Sequence, residues 1–258
     1  MGLFNIFNSN NKNSQMPVNN PYNPSVNTAV SVDLKKKVSL RKDIILDEVK
    51  RNNITATTAR VVFVLDHSGS MLTMYKNGTV QDVLERIFPM AMCFDDNAEL
   101  EFYWFDSVFK ELEPVTSDNL EGYVQKVIMS KKEHFGGTCY APIMSEILNR
   151  YGRKEPMNIP TFVIFITDGA NSDKPAAKKV LTEASRYNIF WKFVGIGNAK
   201  FDFLENLDNL TGRFIDNANF VNFSNIGNIS DNVLYAQLLT EYNDWIALCK
   251  SHDIPVGV

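Results

Sequence analysis

Cysteine is scarce in this chain of 258 residues: Cys93, Cys139 and Cys249 stand far apart and outside any C-x-x-C spacing. An odd, scattered set suggests neither a disulfide framework nor a structural zinc site, and free thiols are the expectation. Histidine is as rare, with His67, His134 and His252 only, so a histidine triad or zinc site would need long-range convergence, and each reads as a surface or loop residue. No stretch approaches the roughly 18 apolar residues of a membrane span, and the first residues lack the basic flank and cleavage pattern of a signal peptide. We therefore expect a cytoplasmic protein. Basic residues are outnumbered, 26 Lys and Arg against 30 Asp and Glu for a net charge of −4, which argues against nucleic-acid binding through bulk charge. The chain also lacks a G-x-x-x-x-G-K-[ST] loop and a G-x-S-x-G elbow, and Gly195-Ile196-Gly197 lacks the third glycine of a dinucleotide loop.

What is present is a globular composition, 45% hydrophobic and 12% aromatic, enough for one domain of roughly 200 residues with appendages. Residues 1–30, rich in Asn, Pro and Ser, read as a disordered tail. Ahead of most of it, Gly2 to Phe7 forms a short apolar tip too small for a stable helix of its own. Residues 31–54 read as a helix or linker whose Lys35-Lys36-Lys37 is solvated. Residues 55–225 form the domain, and 226–258 supply a closing helix packed on it through Leu238, Leu239, Tyr242, Trp245, Ile246 and Cys249.

Inside the domain, three runs are apolar at nearly every position: Arg60 to Leu65, stopped by Asp66; Thr161 to Ile166, stopped by Thr167-Asp168-Gly169; and Phe190 to Ile196. Such runs are strands buried on both faces, the mark of a parallel sheet. Between them, Val80, Val83, Leu84, Ile87, Ala91 and Phe94 recur at helical spacing, with Pro89 expected to kink that helix. A second helix begins near Pro175 and buries Ala177, Val180, Leu181 and Ala184. Glu99 to Phe105, Asp106-Ser107 and Val108 to Leu112 read as a hairpin. The expected fold is thus α/β and doubly wound, a mostly parallel central sheet with one antiparallel edge strand and helices on both faces.

Asp66-His67-Ser68-Gly69-Ser70 sets a carboxylate and two hydroxyls on a tight loop at the carboxyl end of the first strand. Gly136-Gly137-Thr138 offers another hydroxyl, and Asp168 ends the second central strand with another carboxylate. Each fragment alone reads as an ordinary turn or cap. Their order and placement let hard oxygens from three loops converge on one small divalent cation that prefers octahedral oxygen and keeps several waters, Mg²⁺ above all.

At these residues the sequence resembles the von Willebrand factor A domain family, whose metal-ion-dependent adhesion site has the pattern D-x-S-x-S followed by a Thr and an Asp on later loops. Asp66, Ser68, Ser70, Thr138 and Asp168 match it without departure. The resemblance implies a Rossmann-like domain in which the hydroxyls ligate Mg²⁺ or Mn²⁺ and the aspartates bind directly or through water. It also implies a protein partner whose Asp or Glu takes the vacant position. Among such domains the chain is most similar to bacterial ones associated with resistance to tellurite and other toxic anions, which implies a non-enzymatic adapter in a stress response. The competing reading is a Mg²⁺-dependent phosphoryl-transfer enzyme or phosphatase built on Asp66. Against it, Ser68 stands where one large class of aspartyl-phosphate enzymes would want a second carboxylate.

Overall fold

Arg60–Asp66 (β1) sends Val61, Phe63 and Leu65 to one side and Val62 and Val64 to the other, and all five are buried. Successive side chains of a strand point to opposite faces, so a run that is apolar throughout needs a covering layer on each side. Thr161–Thr167 (β4) and Ile189–Ile196 (β5) are buried at every position in the same way. The computed structural model describes residues 24–257, with side chains from residue 32 onward. With β2 (Glu101–Phe105), β3 (Phe109–Glu111) and β6 (Ala218–Phe223), the strands form one sheet of order β3-β2-β1-β4-β5-β6. All pairings are parallel except β2 with β3, which gives the expected antiparallel edge.

Helices cover both faces. The alternate strand positions Phe63, Phe162 and Phe190 pack in one layer with residues of α1 (Pro24–Arg51), α3 (Thr79–Phe94), α7 (Asp231–Leu239) and α8 (Tyr242–Ser251). Their neighbours Val64, Val163 and Trp191 pack in the other layer with α4 (Ala141–Ile147), α5 (Lys174–Ala184) and α6 (Asp202–Asp208). A short α2 (Leu72–Lys76) joins the β1 loop to α3. All six apolar positions expected of α3 are buried, and the helix runs through Pro89 to Phe94. Proline lacks the N–H that would bind the carbonyl four residues back, and the Arg41 guanidinium donates to that carbonyl, Glu85 O, at 3.0 Å.

Three features depart from expectation. Helix α1 starts at Pro24, inside the segment read as tail, which suits proline's tolerance at a helix start. The rest of that tail, with the Gly2–Phe7 tip, lies outside the described residues. The closing helix is two helices, broken at Thr240 and at Glu241, whose φ is +65°. The break is held by Lys192, buried in β5, whose ammonium donates to Gln237 O (2.8 Å), Thr240 O (3.1 Å) and Asn219 Oδ1. Finally, β6 has no counterpart in the sequence reading, because Asn219 and Asn222 interrupt its apolar pattern.

The strand order fixes where a site can form. The chain runs outward from β1 to β2 and β3, then crosses back to β4 on the other side of β1. Connections that leave in opposite directions open a crevice at the carboxyl ends of the two central strands. Asp66 ends β1 and Asp168 follows β4 at that crevice.

Candidate metal centre

Asp66 is wholly buried at the base of the crevice. Its Oδ1 accepts the Ser68 N–H (2.7 Å) and its Oδ2 accepts the Thr167 hydroxyl (2.5 Å), so the carboxylate is pinned between β1 and β4. The Tyr140 hydroxyl sits 3.1 Å from Thr167 Oγ1 and 2.6 Å from Gly169 O and tethers the end of β4 to the start of α4. Tyr75 donates to the Asp66 carbonyl at 3.0 Å. Above Asp66, the Ser68 and Ser70 hydroxyls lie 3.1 Å apart, and Ser70 Oγ donates to Asp168 Oδ1 at 2.8 Å. Ser68 is buried, Asp168 half-buried and Ser70 exposed, so this row of oxygens opens outward at Ser70.

The third loop is stitched to the first. Ser68 pairs with Gly136 as an isolated parallel bridge, and Gly69 N–H donates to Gly136 O at 3.0 Å. On its other flank, Ser172 N–H donates to Thr138 O at 2.9 Å, joining the loop that follows β4. Thr138 is half-buried between the two, and its contacts to Ser172 run through its carbonyl. All five residues named from the sequence therefore lie on three loops that the backbone fastens together at one end of the sheet.

The donor set fits a small hard cation. Burial pushes the Asp66 carboxyl up to about 6, and the groups that act against this are the neutral donors Ser68 and Thr167, while Asp168 adds like charge. Asp168 is raised by burial as well, with the Ser70 hydroxyl pulling it back. Two carboxylates thus share a crevice in which a cation from outside would offset their charge. The row Ser68 Oγ, Ser70 Oγ, Asp168 Oδ1 has spacings of 3.1 and 2.8 Å. These are ordinary O–H···O separations, and adjacent ligands of an octahedral ion with bonds of 2.0–2.1 Å are about 2.9 Å apart, so an ion could replace these hydrogen bonds with little movement of the oxygens. Among the described residues no group of three or more His, Cys, Asp and Glu is placed to hold a metal ion, so hydroxyls are essential to this donor set.

His67 lies on the loop after β1, as one of the two expected settings has it, but it is not at the surface. It is buried, its ring stacked on Phe135 (3.9 Å between centroids) and Trp104 (4.5 Å), with Tyr75 edge-on at 5.5 Å. Burial lowers its pKa, and among the described residues Nδ1 has no hydrogen-bond partner. Sequence reasoning also passed over the supports. Thr167 has no role in the motif, and Tyr140 carries no signal in the sequence. Asp173 accepts the Tyr140 and Ala141 N–H groups at 2.9 and 2.7 Å and so caps α4 from the start of α5. Asp106, read only as a turn residue, binds the third loop through Gly136 N–H.

Among solved structures, proximal thread matrix protein 1 (PTMP1) from the mussel byssus superposes with a TM-score of 0.52 at 14% identity. A second structure of that protein, with a zinc-occupied MIDAS motif, gives 0.50 at 15%. Each match covers 74% of this chain and 48% of the other, so this chain spans about half the length of those structures, and at such identity the likeness shows the fold alone. A Bacillus subtilis (strain 168) protein carrying the name Uncharacterized protein YcbR is 41% identical over 219 residues, 84% of this chain and 89% of that protein. The model of one family, vWA-TerF-like, described as the vWA found in TerF C terminus, matches residues 58–255 and so takes in α7 and α8. With the doubly wound sheet and three-loop crevice in place, that match settles the classification: the chain belongs to the vWA-TerF-like family of von Willebrand factor A domains.

Proposed function

We propose that the chain is a non-enzymatic, metal-dependent protein-interaction module. Ser68, Ser70 and Thr138 hold Mg²⁺, or Mn²⁺, with Asp66 and Asp168 in direct or water-mediated contact, and a partner's Asp or Glu completes the coordination. The observation that carries this reading is the backbone stitching that brings the Asp66–Ser70 loop, the Gly136–Thr138 loop and the loop after β4 to one end of the sheet, with the Ser68, Ser70 and Asp168 oxygens in contact across it. The bound ion would supply an electrophilic site for an incoming carboxylate, since neutral hydroxyls leave its charge poorly compensated. The zinc in the MIDAS motif of the mussel-byssus protein supports a divalent ion on this fold.

A phosphatase or phosphoryl-transfer enzyme is the second reading. Such chemistry needs a base or a nucleophile beside the reacting atom. Here the histidine of the motif loop, His67, is enclosed by aromatic rings, and both Asp66 oxygens are engaged by internal donors. We assign the module to the cytoplasm and to a bacterial response to tellurite or other toxic anions; the family's description, a vWA found in the TerF C terminus, fits the second of these.

Calorimetric titration of Mg²⁺ and Mn²⁺ into the wild type and Asp66→Ala tests the site. Binding by the wild type and its loss in Asp66→Ala is the expected result, and equal behaviour of the two proteins would refute the assignment. Sustained Mg²⁺-dependent phosphatase turnover that disappears in Asp66→Ala would favour the enzyme.

A further inference from the structure

We propose that Asp106 is a positioning residue of the metal centre, holding the Gly136–Thr138 loop in register with the Asp66–Ser70 loop; the inference rests on the metal reading above. Asp106 is nearly buried at the turn between β2 and β3. Its Oδ1 accepts the Val108 N–H at 2.8 Å and closes that turn, while its Oδ2 accepts the Gly136 N–H at 3.1 Å. Its backbone carbonyl accepts the Cys139 N–H at 2.9 Å. One residue therefore grips the third loop on both sides of Thr138. With both carboxylate oxygens committed to amides, Asp106 acts on an ion through the loop.

The fit around this grip is tight. A β-carbon on Gly136 would stand 2.5 Å from Asp106 Oδ2, so the close approach requires glycine there. The opposite edge of the same residue is used as well, since Gly136 O accepts the Gly69 N–H. Phe135, the residue before, stacks on His67 inside the D-x-S-x-S segment. The third loop is thus wedged between the hairpin turn and the motif loop, and Asp106 supplies the charged acceptor on the hairpin side. Charge-assisted bonds to backbone N–H groups are stronger than neutral ones, and loss of the group that orients a metal ligand typically weakens metal binding about 10–100-fold.

The test is a double-mutant cycle on Mn²⁺ affinity by calorimetry, with wild type, Asp106→Ala, Thr138→Ala and the double variant, and with Asp66→Ala as site control. Alongside it, amide hydrogen exchange is followed in EDTA. Asp106→Ala is expected to weaken Mn²⁺ about 10–100-fold. Adding Thr138→Ala should then cost less than about 3-fold more, because the threonine is already out of place. In metal-free protein, the Gly136 amide should lose protection while the amides of β4 and β5 keep theirs. Affinity of Asp106→Ala within about 2-fold of wild type, or losses that multiply as for independent sites, would overturn the positioning role. If Asp106→Ala does not fold, Asp106→Asn, which keeps a single acceptor oxygen, takes its place under the same criteria. If wild type and Asp66→Ala bind Mn²⁺ alike, the metal reading fails and this role fails with it. If they differ but Asp106→Ala matches wild type, only this role fails.

Discussion

Asp66 and the buried cation Arg86 are handled in opposite ways, and Lys192 stands between them. Arg86, in α3, donates from Nε to Asp231 Oδ1 (2.8 Å) and from its two terminal nitrogens to Ile226 O and Ile229 O. Arg41 closes the same cluster by donating to Asp231 Oδ2 at 3.0 Å. Lys192 has three oxygen acceptors, enough for all three N–H bonds of an ammonium. Asp66 has two neutral donors and a like-charged neighbour. Arg86 is therefore answered by a carboxylate and two carbonyls, Lys192 by neutral oxygens that still leave burial pulling it down to about 7, and Asp66 by two neutral donors beside a like charge. A buried charge that is closed internally holds elements together, whereas one left uncompensated marks where something from outside belongs.

The comparison breaks most visibly at Arg86. Truncation to alanine leaves Asp231 with Arg41 alone, strands two carbonyls and should cost about 3–5 kcal/mol of stability, read from urea unfolding in EDTA, with Mn²⁺ affinity unchanged. Loss of affinity in a still-folded Arg86→Ala would show that the two regions are coupled. Lys192→Met uncovers Gln237 O and Thr240 O at the joint of α7 and α8 and should cost about 2–4 kcal/mol. It also carries a pH signature. Burial pulls Lys192 down to about 7, against the pull of Glu241 and Asp208 in the other direction. The unfolded chain, whose lysine titrates near its ordinary value of about 10.4, then binds the extra proton between those two pH values. Stability of the wild type should accordingly rise with pH from about 7 toward 10, relative to Lys192→Met at each pH. Parallel stability curves for the two proteins would mean that the three oxygens keep the ammonium fully charged in the fold.

The same contrast explains what the sequence made legible. β1, β4 and β5 were readable because burial on both faces leaves an unbroken apolar run, and α3 because its buried positions fall at helical spacing. Lys192 sat unremarked inside such a run, since its acceptors come from β6 and from the end of α7, both distant in sequence. The candidate site's oxygens stand in the sequence as five motif residues in order. Their supports carry no such pattern: Thr167, Tyr140 and Asp106 act through contacts that only the sheet order brings together. Nor does any local signal tell His67, packed among aromatics, from an exposed loop histidine.

Asp66→Asn sharpens the comparison by reversing sign. In EDTA the variant removes a buried charge that no cation offsets, and it should be more stable than wild type by about 1 kcal/mol, the gain being limited by loss of one acceptor. With Mn²⁺ at about 100 times its dissociation constant, the wild type alone gains about 2.7 kcal/mol and the order inverts. Thermal unfolding of both proteins in the two buffers decides it. A variant less stable than wild type in both would make Asp66 a structural residue like Arg86.

The smallest effect on the fold belongs to Thr138→Ala. Thr138 is half-buried, and the bonds that tie it to Ser172 run through its carbonyl, which alanine keeps. Its removal should change stability in EDTA by less than about 0.5 kcal/mol. If the hydroxyl belongs to the ion, the cost falls on binding instead, and affinity for a carboxylate-bearing partner should drop with the metal affinity, because metal and partner binding are reciprocal. The measurement is partner affinity in Mn²⁺, in EDTA and for Thr138→Ala under matched salt. Equal affinity in all three would move the contact surface to another face of the domain, and a stability loss above about 1 kcal/mol would place this hydroxyl among the internally satisfied groups rather than at the open site.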